Sequence, residues 1–219
     1  MGVASMTAHK KSRTELRSEA TRQSLMTAAK EVFAESGLDI STIDDITARA
    51  NVGKGTFYLH FANKSELINV LITASMSELC AALDKACKNQ NDLDSLLDSL
   101  IRAHLKFFSE RRSDFILFFQ GRSDLTIKHS YEGIDEPILS YLEHVAELID
   151  NVVKYHLPQS SLTRIACAVA GFLSGYFSFA VISNDEANLE EMLNPVRKAL
   201  VASLSRFIKE AVPADAGSI

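Results

Sequence analysis

Along nearly the whole chain, apolar positions recur at intervals of three and four residues, the spacing of one helical face. No segment alternates with the period of two that marks a half-buried strand bounded by hairpin turns. The pattern predicts a first helix from about Thr14 to Ser36, with Leu25, Ala28, Ala29, Val32 and Phe33 on its inner stripe and Gly37 as its stop. A short second helix begins at Thr42, an N-cap residue, with Asp44 and Asp45 in the first turn, where the helix dipole favours carboxylates. Ile43, Ile46 and Ala50 form its inner face. Asn51-Val52-Gly53 interrupts it, and a third short helix follows from about Lys54 to His60, with Phe57 and Phe61 one turn apart. Asn63-Lys64-Ser65-Glu66 has the form of a capping box and opens a long fourth helix through Leu67 and Leu71. Further helices are expected at about 92–110, 113–121, 136–156, 161–183 and 189–211, with Asn194-Pro195 placed to shift the start of the last one.

This reading is all-α. It gives a disordered leader over 1–12, a compact N-terminal unit over 13–64 and a larger helical unit over 65–219. With 47% hydrophobic residues the chain can bury a core. No uninterrupted apolar run reaches the roughly 20 residues of a membrane span. The polar start lacks the apolar stretch of a signal peptide, so no membrane association and a cytoplasmic location are expected. Cys80, Cys87 and Cys167 are odd in number and show no CxxC spacing, which argues against a disulfide framework or a zinc site and for small buried hydrophobes. The net charge of −5 is unevenly spread: residues 1–65 hold nine Lys/Arg against seven Asp/Glu, and residues 66–219 hold fourteen against twenty-one. An acidic body with a basic N-terminal end would turn that end toward a polyanion.

The chemistry concentrates in residues 41–67. Two short helices joined by a three-residue turn make a helix-turn-helix, whose second helix fits the DNA major groove. Lys54 can donate to guanine or to phosphate, Gly55 allows close backbone approach, and Thr56 offers a hydroxyl and a methyl. Tyr58, His60 and Lys64 stand at the far end, where phosphate contacts are expected. Phe57 and Phe61 are core residues.

The run from Val52 to Phe61, followed by Lys64 and Glu66-Leu67, resembles the signature of the TetR/AcrR family of transcriptional regulators. Matches extend upstream through Ala34-Glu35-Ser36-Gly37 and Thr42-Ile43-Asp44-Asp45-Ile46, so the resemblance covers about residues 17–70. It implies a three-helix DNA-binding domain followed by a ligand-binding and dimerisation domain. It also implies that Thr42 caps the second helix and touches a phosphate, that Lys54, Gly55 and Thr56 face bases, and that Tyr58, His60 and Lys64 clamp the backbone. Two positions depart from the family pattern. Asn51 stands where Gly is usual; Asn tolerates the left-handed conformation, so the turn is expected to form. Gly53 stands where a Ser-type cap is common, which leaves the third helix without a side-chain cap.

For the larger unit the resemblance implies a ligand pocket, and its aromatic content points to a hydrophobic small-molecule effector lined by Phe107, Phe108, Phe118, Tyr141 and Tyr176, with His104, Arg122 and His144 as polar partners. His104, His129, His144 and His156 lack the spacing of metal ligands, so no metal or cofactor is expected. Small residues recur in the penultimate helix (Ala166, Ala168, Ala170, Gly171, Ser174, Gly175), and Val196, Leu200, Leu204 and Ile208 recur in the last. Together they suggest a homodimer through the last two helices, bound to double-stranded operator DNA. No nucleophile elbow, phosphate loop, zincin or dinucleotide motif is present, so the alternative of a small helical enzyme is disfavoured and no catalytic residue is assigned. An architectural DNA-coating protein, the other alternative, is disfavoured by the acidic body.

Overall fold

A computed structural model describes residues 12–124, 135–153, 157–183 and 189–210; within these, the side chains of 119–124, 135, 176, 177, 179–183 and 189–195 are outside the description. Among the described residues there are nine helices and no strand: α1 (Arg13–Ser36), α2 (Ile43–Arg49), α3 (Lys54–Tyr58), α4 (Lys64–Cys87), α5 (Leu93–Glu110), α6 (Arg112–Asp124), α7 (Asp135–Asp150), α8 (Gln159–Ser183) and α9 (Leu189–Glu210). The chain divides into two compact units, Met1–Leu67 and Ile68–Ile219.

In the first unit, local chemistry sets the helix ends. Ser12 and Glu15 form a reciprocal capping box at the start of α1, and Thr42 and Asp45 form another at the start of α2. Gly37 ends α1 with φ 87°, a backbone that side chains rarely adopt. Asn63 caps α4, its Oδ1 accepting from the Glu66 amide at 2.8 Å, while the Glu66 carboxylate reaches back to the Ala62 amide at 2.6 Å. α1 packs on α2, and α2 on α3. The core they share holds Leu25, Ala29, Phe33, Ile46, Phe57 and Phe61, each essentially sealed from solvent. Complete burial of the leucine, isoleucine and phenylalanine side chains among them contributes about 1.5–3 kcal/mol apiece.

In the second unit, α5 is the central helix. It contacts α6, α7, α8 and α9, and buries Leu96, Leu97, Leu100, Ile101 and His104. α7 packs along α8; α7 buries Ile138, Tyr141, Val145 and Ile149, and α8 buries Leu162, Ile165, Val169 and Leu173. α9 packs on α5, helped by ion pairs of Arg197 with Asp98 at 3.2 Å and Lys209 with Asp94 at 3.7 Å.

Several elements differ from the sequence reading. α7 ends at Asp150, because Asn151-Val152-Val153 are weak helix formers and the chain turns there. α9 runs through Pro195 instead of starting after it; proline removes only one N–H, and the downstream half of the helix is held on α5. α4 has no uninterrupted apolar run of membrane-spanning length, yet it is the one helix among the described residues long and apolar enough to cross a bilayer by length and composition. Its Leu71, Ile72, Leu79 and Leu83 are instead fully buried inside the protein. Cys167 is exposed, unlike buried Cys87 and half-buried Cys80. Leu204 and Ile208 are buried within the protomer, so they are consumed by the unit's own core and not left as a seam. Gly171 and Gly175 lie on an exposed stripe of α8, where an added Cβ would meet nothing within 4 Å.

Candidate functional site

α3 is only five residues long, so most of its side chains cannot avoid solvent. Phe57 is its anchor, fully buried and 5.6 Å from the ring of Phe61. The chain enters α3 through Asn51, the only non-glycine residue at positive φ (54°) among the described residues. The amide of Val52 returns to the carbonyl of Thr47 at 3.0 Å, closing the turn. Gly53 caps α3 with extended backbone and no side-chain hydrogen bond, and a Cβ there would meet nothing.

With Phe57 fixed inward, Lys54, Gly55 and Tyr58 are exposed, and Thr56 and His60 are half-buried. The Lys54 ammonium donates to Asp44 Oδ2 at 3.1 Å and lies 2.9 Å from Oδ1. That bond, and the carboxylate's charge behind it, raise the Lys54 pKa above its ordinary value. Thr42 is exposed but engaged in its cap: its amide donates to Asp45 Oδ2 at 2.9 Å and its hydroxyl at 2.7 Å. The hydroxyl bond first, and the amide bond second, lower the Asp45 pKa.

Three of the unit's cations serve the fold. Lys64 turns inward and donates to the carbonyls of Leu38 (2.7 Å) and Ser41 (2.9 Å), holding the α1–α2 loop where the sequence suggested an outward clamp. Arg49 grips Glu35 with two bonds (2.9 and 2.6 Å) and Glu31 with one (3.2 Å), tying α2 to α1. The Arg22 guanidinium lies 4.9 Å from the centre of the Phe61 ring. The exposed cations on α1 include Arg13 and Arg17. Sequence reading missed Leu59: at 82% exposure it is the most exposed large hydrophobic side chain among the described residues. Its helical position, two residues past Phe57 and four past Gly55, was the available signal, since it falls opposite the buried face.

In the second unit the aromatic candidates are packed against one another. Phe108 stands 5.3 Å from Phe107, 5.6 Å from Phe115 and 5.9 Å from Phe118, and Phe118 stands 6.1 Å from Tyr141. His104 is fully buried behind them. Its Nδ1 lies 2.7 Å from the Leu100 carbonyl and its Nε2 lies 2.7 Å from the Tyr141 hydroxyl. A carbonyl only accepts, so Nδ1 carries the proton and Tyr141 donates to Nε2. Burial lowers the His104 pKa to about 4, which keeps the ring neutral.

A cavity of about 470 Å³ lies between α4 and α7. One wall is Asn69, Thr73, Met76, Ser77 and Cys80; the other is Glu136, Pro137, Ser140, Tyr141 and His144. Each set follows a single helical stripe. Of the aromatic candidates only Tyr141 lines it; Phe107, Phe108 and Phe118 are taken up by core packing, the side chains of Tyr176 and Arg122 are outside the description, and His129 and His156 lie outside the described residues. Among the described residues no group of three metal-ligating side chains occurs.

Residues 25–71 match the family model described as "Bacterial regulatory proteins, tetR family". The chain is similar to the HTH-type transcriptional regulator YvdT of Bacillus subtilis, at 32% identity over 126 residues; the match covers 56% of this chain and 63% of that protein, less than two thirds of its length. It is 24% identical over 187 residues to the icaADBC negative transcriptional regulator IcaR of Staphylococcus epidermidis, covering 82% of this chain and 94% of the relative. The fold matches that of the regulator FadR from Bacillus subtilis, solved in complex with stearoyl-CoA, with a TM-score of 0.61 at 19% identity over 87% of this chain and 99% of that one. Residues 25–71 thus carry the DNA-binding module of the tetR family of bacterial regulatory proteins.

Proposed function

We propose that this protein is a homodimeric transcriptional repressor that binds operator DNA through α3 and is released by a small molecule with an apolar body. The observation that carries this reading is the outward face of α3. Lys54, Gly55 and Tyr58 of α3, with Leu59 at its C-terminal cap, are exposed, and the only buried residue of the helix is Phe57. Such a face matches a major groove in shape and offers both a cation and hydrogen-bonding groups. Thr42, Thr56, His60 and Lys64 flank it, the last as a brace. Dimerisation is assigned to α8 and α9. The exposed stripe Cys167, Ala168, Gly171 and Gly175 would let a partner helix approach closely, and Phe207, 52% exposed, would add apolar area. Two copies would double the phosphate and base contacts available to one short helix. The effector would act by binding the DNA-free form more tightly. The setting is the cytoplasm, and no catalytic step is assigned.

Titration of the promoter beside its own gene by fluorescence anisotropy tests the reading. Wild-type protein is expected to bind with a preference over random duplex. Tyr58→Ala is expected to lose about tenfold or more in affinity, roughly 1.4 kcal/mol, with unchanged circular dichroism. Equal binding by wild type and by a Lys54→Ala/Tyr58→Ala double variant would overturn the assignment of α3.

A further inference from the structure

The cavity between α4 and α7 has a charge character of its own. Among its described lining residues Glu136 is the only acid, and there is no lysine or arginine. At the far end His144 Nε2 lies 2.9 Å from Asp84 Oδ1, so a second carboxylate stands directly behind the lining. That pair is close but poorly aligned: the buried Nε2 has no hydrogen-bond partner. Cys80 lies on the same wall. Burial, with the Asp84 charge adding to it, pushes its thiol up to about 11, so it adds neither charge nor a reactive thiolate at neutral pH. The other polar lining groups, Asn69, Thr73, Ser77 and Ser140, are neutral. Met76, Pro137 and the Tyr141 ring supply soft apolar surface.

We infer that this cavity takes an amphiphilic cation, an ammonium group on a short apolar body, and rejects carboxylates and acyl-CoA thioesters. The inference rests on the reading of the chain as an effector-responsive regulator and names the effector class. An anion placed here would meet Glu136, with Asp84 behind His144, and no described cationic lining side chain to offset them. An ammonium is drawn to the same carboxylates, and an aromatic ring and a thioether suit its apolar part. The volume of about 470 Å³ suits a drug-sized molecule. The fold is shared with a regulator solved in complex with stearoyl-CoA, but the chemistry of this lining is opposite to what a polyphosphate-bearing ligand requires.

The test is calorimetric titration of the full-length protein with decyltrimethylammonium, octyl glucoside, decanoate and decanoyl-CoA, each below its micelle concentration. The cation is expected to bind at least tenfold tighter than either anion. Glu136→Gln is expected to cut that preference by fivefold or more. Ser140→Trp, at an exposed lining position, is expected to abolish cation binding while leaving the melting temperature of the free protein unchanged. Equal or tighter binding of an anion, binding indifferent to Ser140→Trp, or no binding by any probe would each overturn the inference. A separate arm adds the same probes to the preformed operator complex. Cation binding that leaves DNA bound would keep the cavity assignment and overturn the effector-responsive reading. Release by an anion alone would keep that reading and overturn the cavity assignment.

Discussion

Residues 42–61 and residues 104–141 both carry polar and aromatic groups that invite a functional reading, yet the fold treats them in opposite ways. In the first region the helices are short. α3 has five residues, and a single anchor, Phe57, suffices to fix it, so Lys54, Gly55 and Tyr58 are exposed. In the second region the helices are long and packed on several sides. α5 meets four other helices, and Phe107, Phe108, His104 and Tyr141 are all buried. A short helix with one anchor displays its side chains; a central helix consumes them. An aromatic residue is therefore a poor guide to a ligand site unless the number of neighbours around its helix is known.

The largest effect is expected at the anchor of α3. Phe57→Ala removes a fully buried ring and should cost the first unit about 3–5 kcal/mol. Operator binding should vanish, while the second unit keeps its helical circular dichroism and its own melting transition. A single cooperative loss of both units would show that their stabilities are not separable.

The buried histidine sharpens the other half. The His104 pKa is lowered from 6.5 to about 4 in the folded protein, so between those values the unfolded chain binds the extra proton. Stability should therefore fall as pH drops from about 6.5 to about 4, by up to about 3 kcal/mol, and this contribution is complete above pH 6.5. Urea titrations of wild type and His104→Gln across that window check it. The variant, with no imidazole to protonate, should show the flatter dependence, and parallel curves would contradict a neutral buried ring.

Two smaller effects concern display. Leu59→Ala should weaken operator binding roughly fivefold, from about 1 kcal/mol of lost apolar contact at ~25 cal/mol per Å², with no change in melting temperature because the side chain is 82% exposed. Gly53→Ser should stabilise the first unit by about 0.5 kcal/mol. The new hydroxyl can cap α3, the extended backbone accepts a side chain, and a Cβ there meets nothing. Thermal melts resolve that gain, and a loss of stability would mean that the start of α3 is strained in a way its dihedral angles do not show.

Much of the first unit was legible because its determinants are local. Thr42 and Asp45 cap within four residues, Asn51 adopts the left-handed turn its side chain permits, and Phe57 and Phe61 pair one turn apart. Lys64 was not legible in the same way: its partners, the carbonyls of Leu38 and Ser41, lie more than twenty residues away. Nor was the seam on α9. Leu204 and Ile208 have the right spacing, but spacing does not say whether the apolar stripe meets its own protomer or another copy, and α5 meets it first.

Taken by itself, then, the sequence determined the all-helical class, the order and approximate ends of the helices, and the helix-turn-helix. These depend on periodicity, caps and turns, whose energies are settled within a few residues of one another. The tertiary structure alone decided which cations are braces, which aromatics are core, and where a cavity opens between α4 and α7. Those outcomes depend on what a side chain meets across the fold, where burial and pairing with distant partners outweigh any local preference.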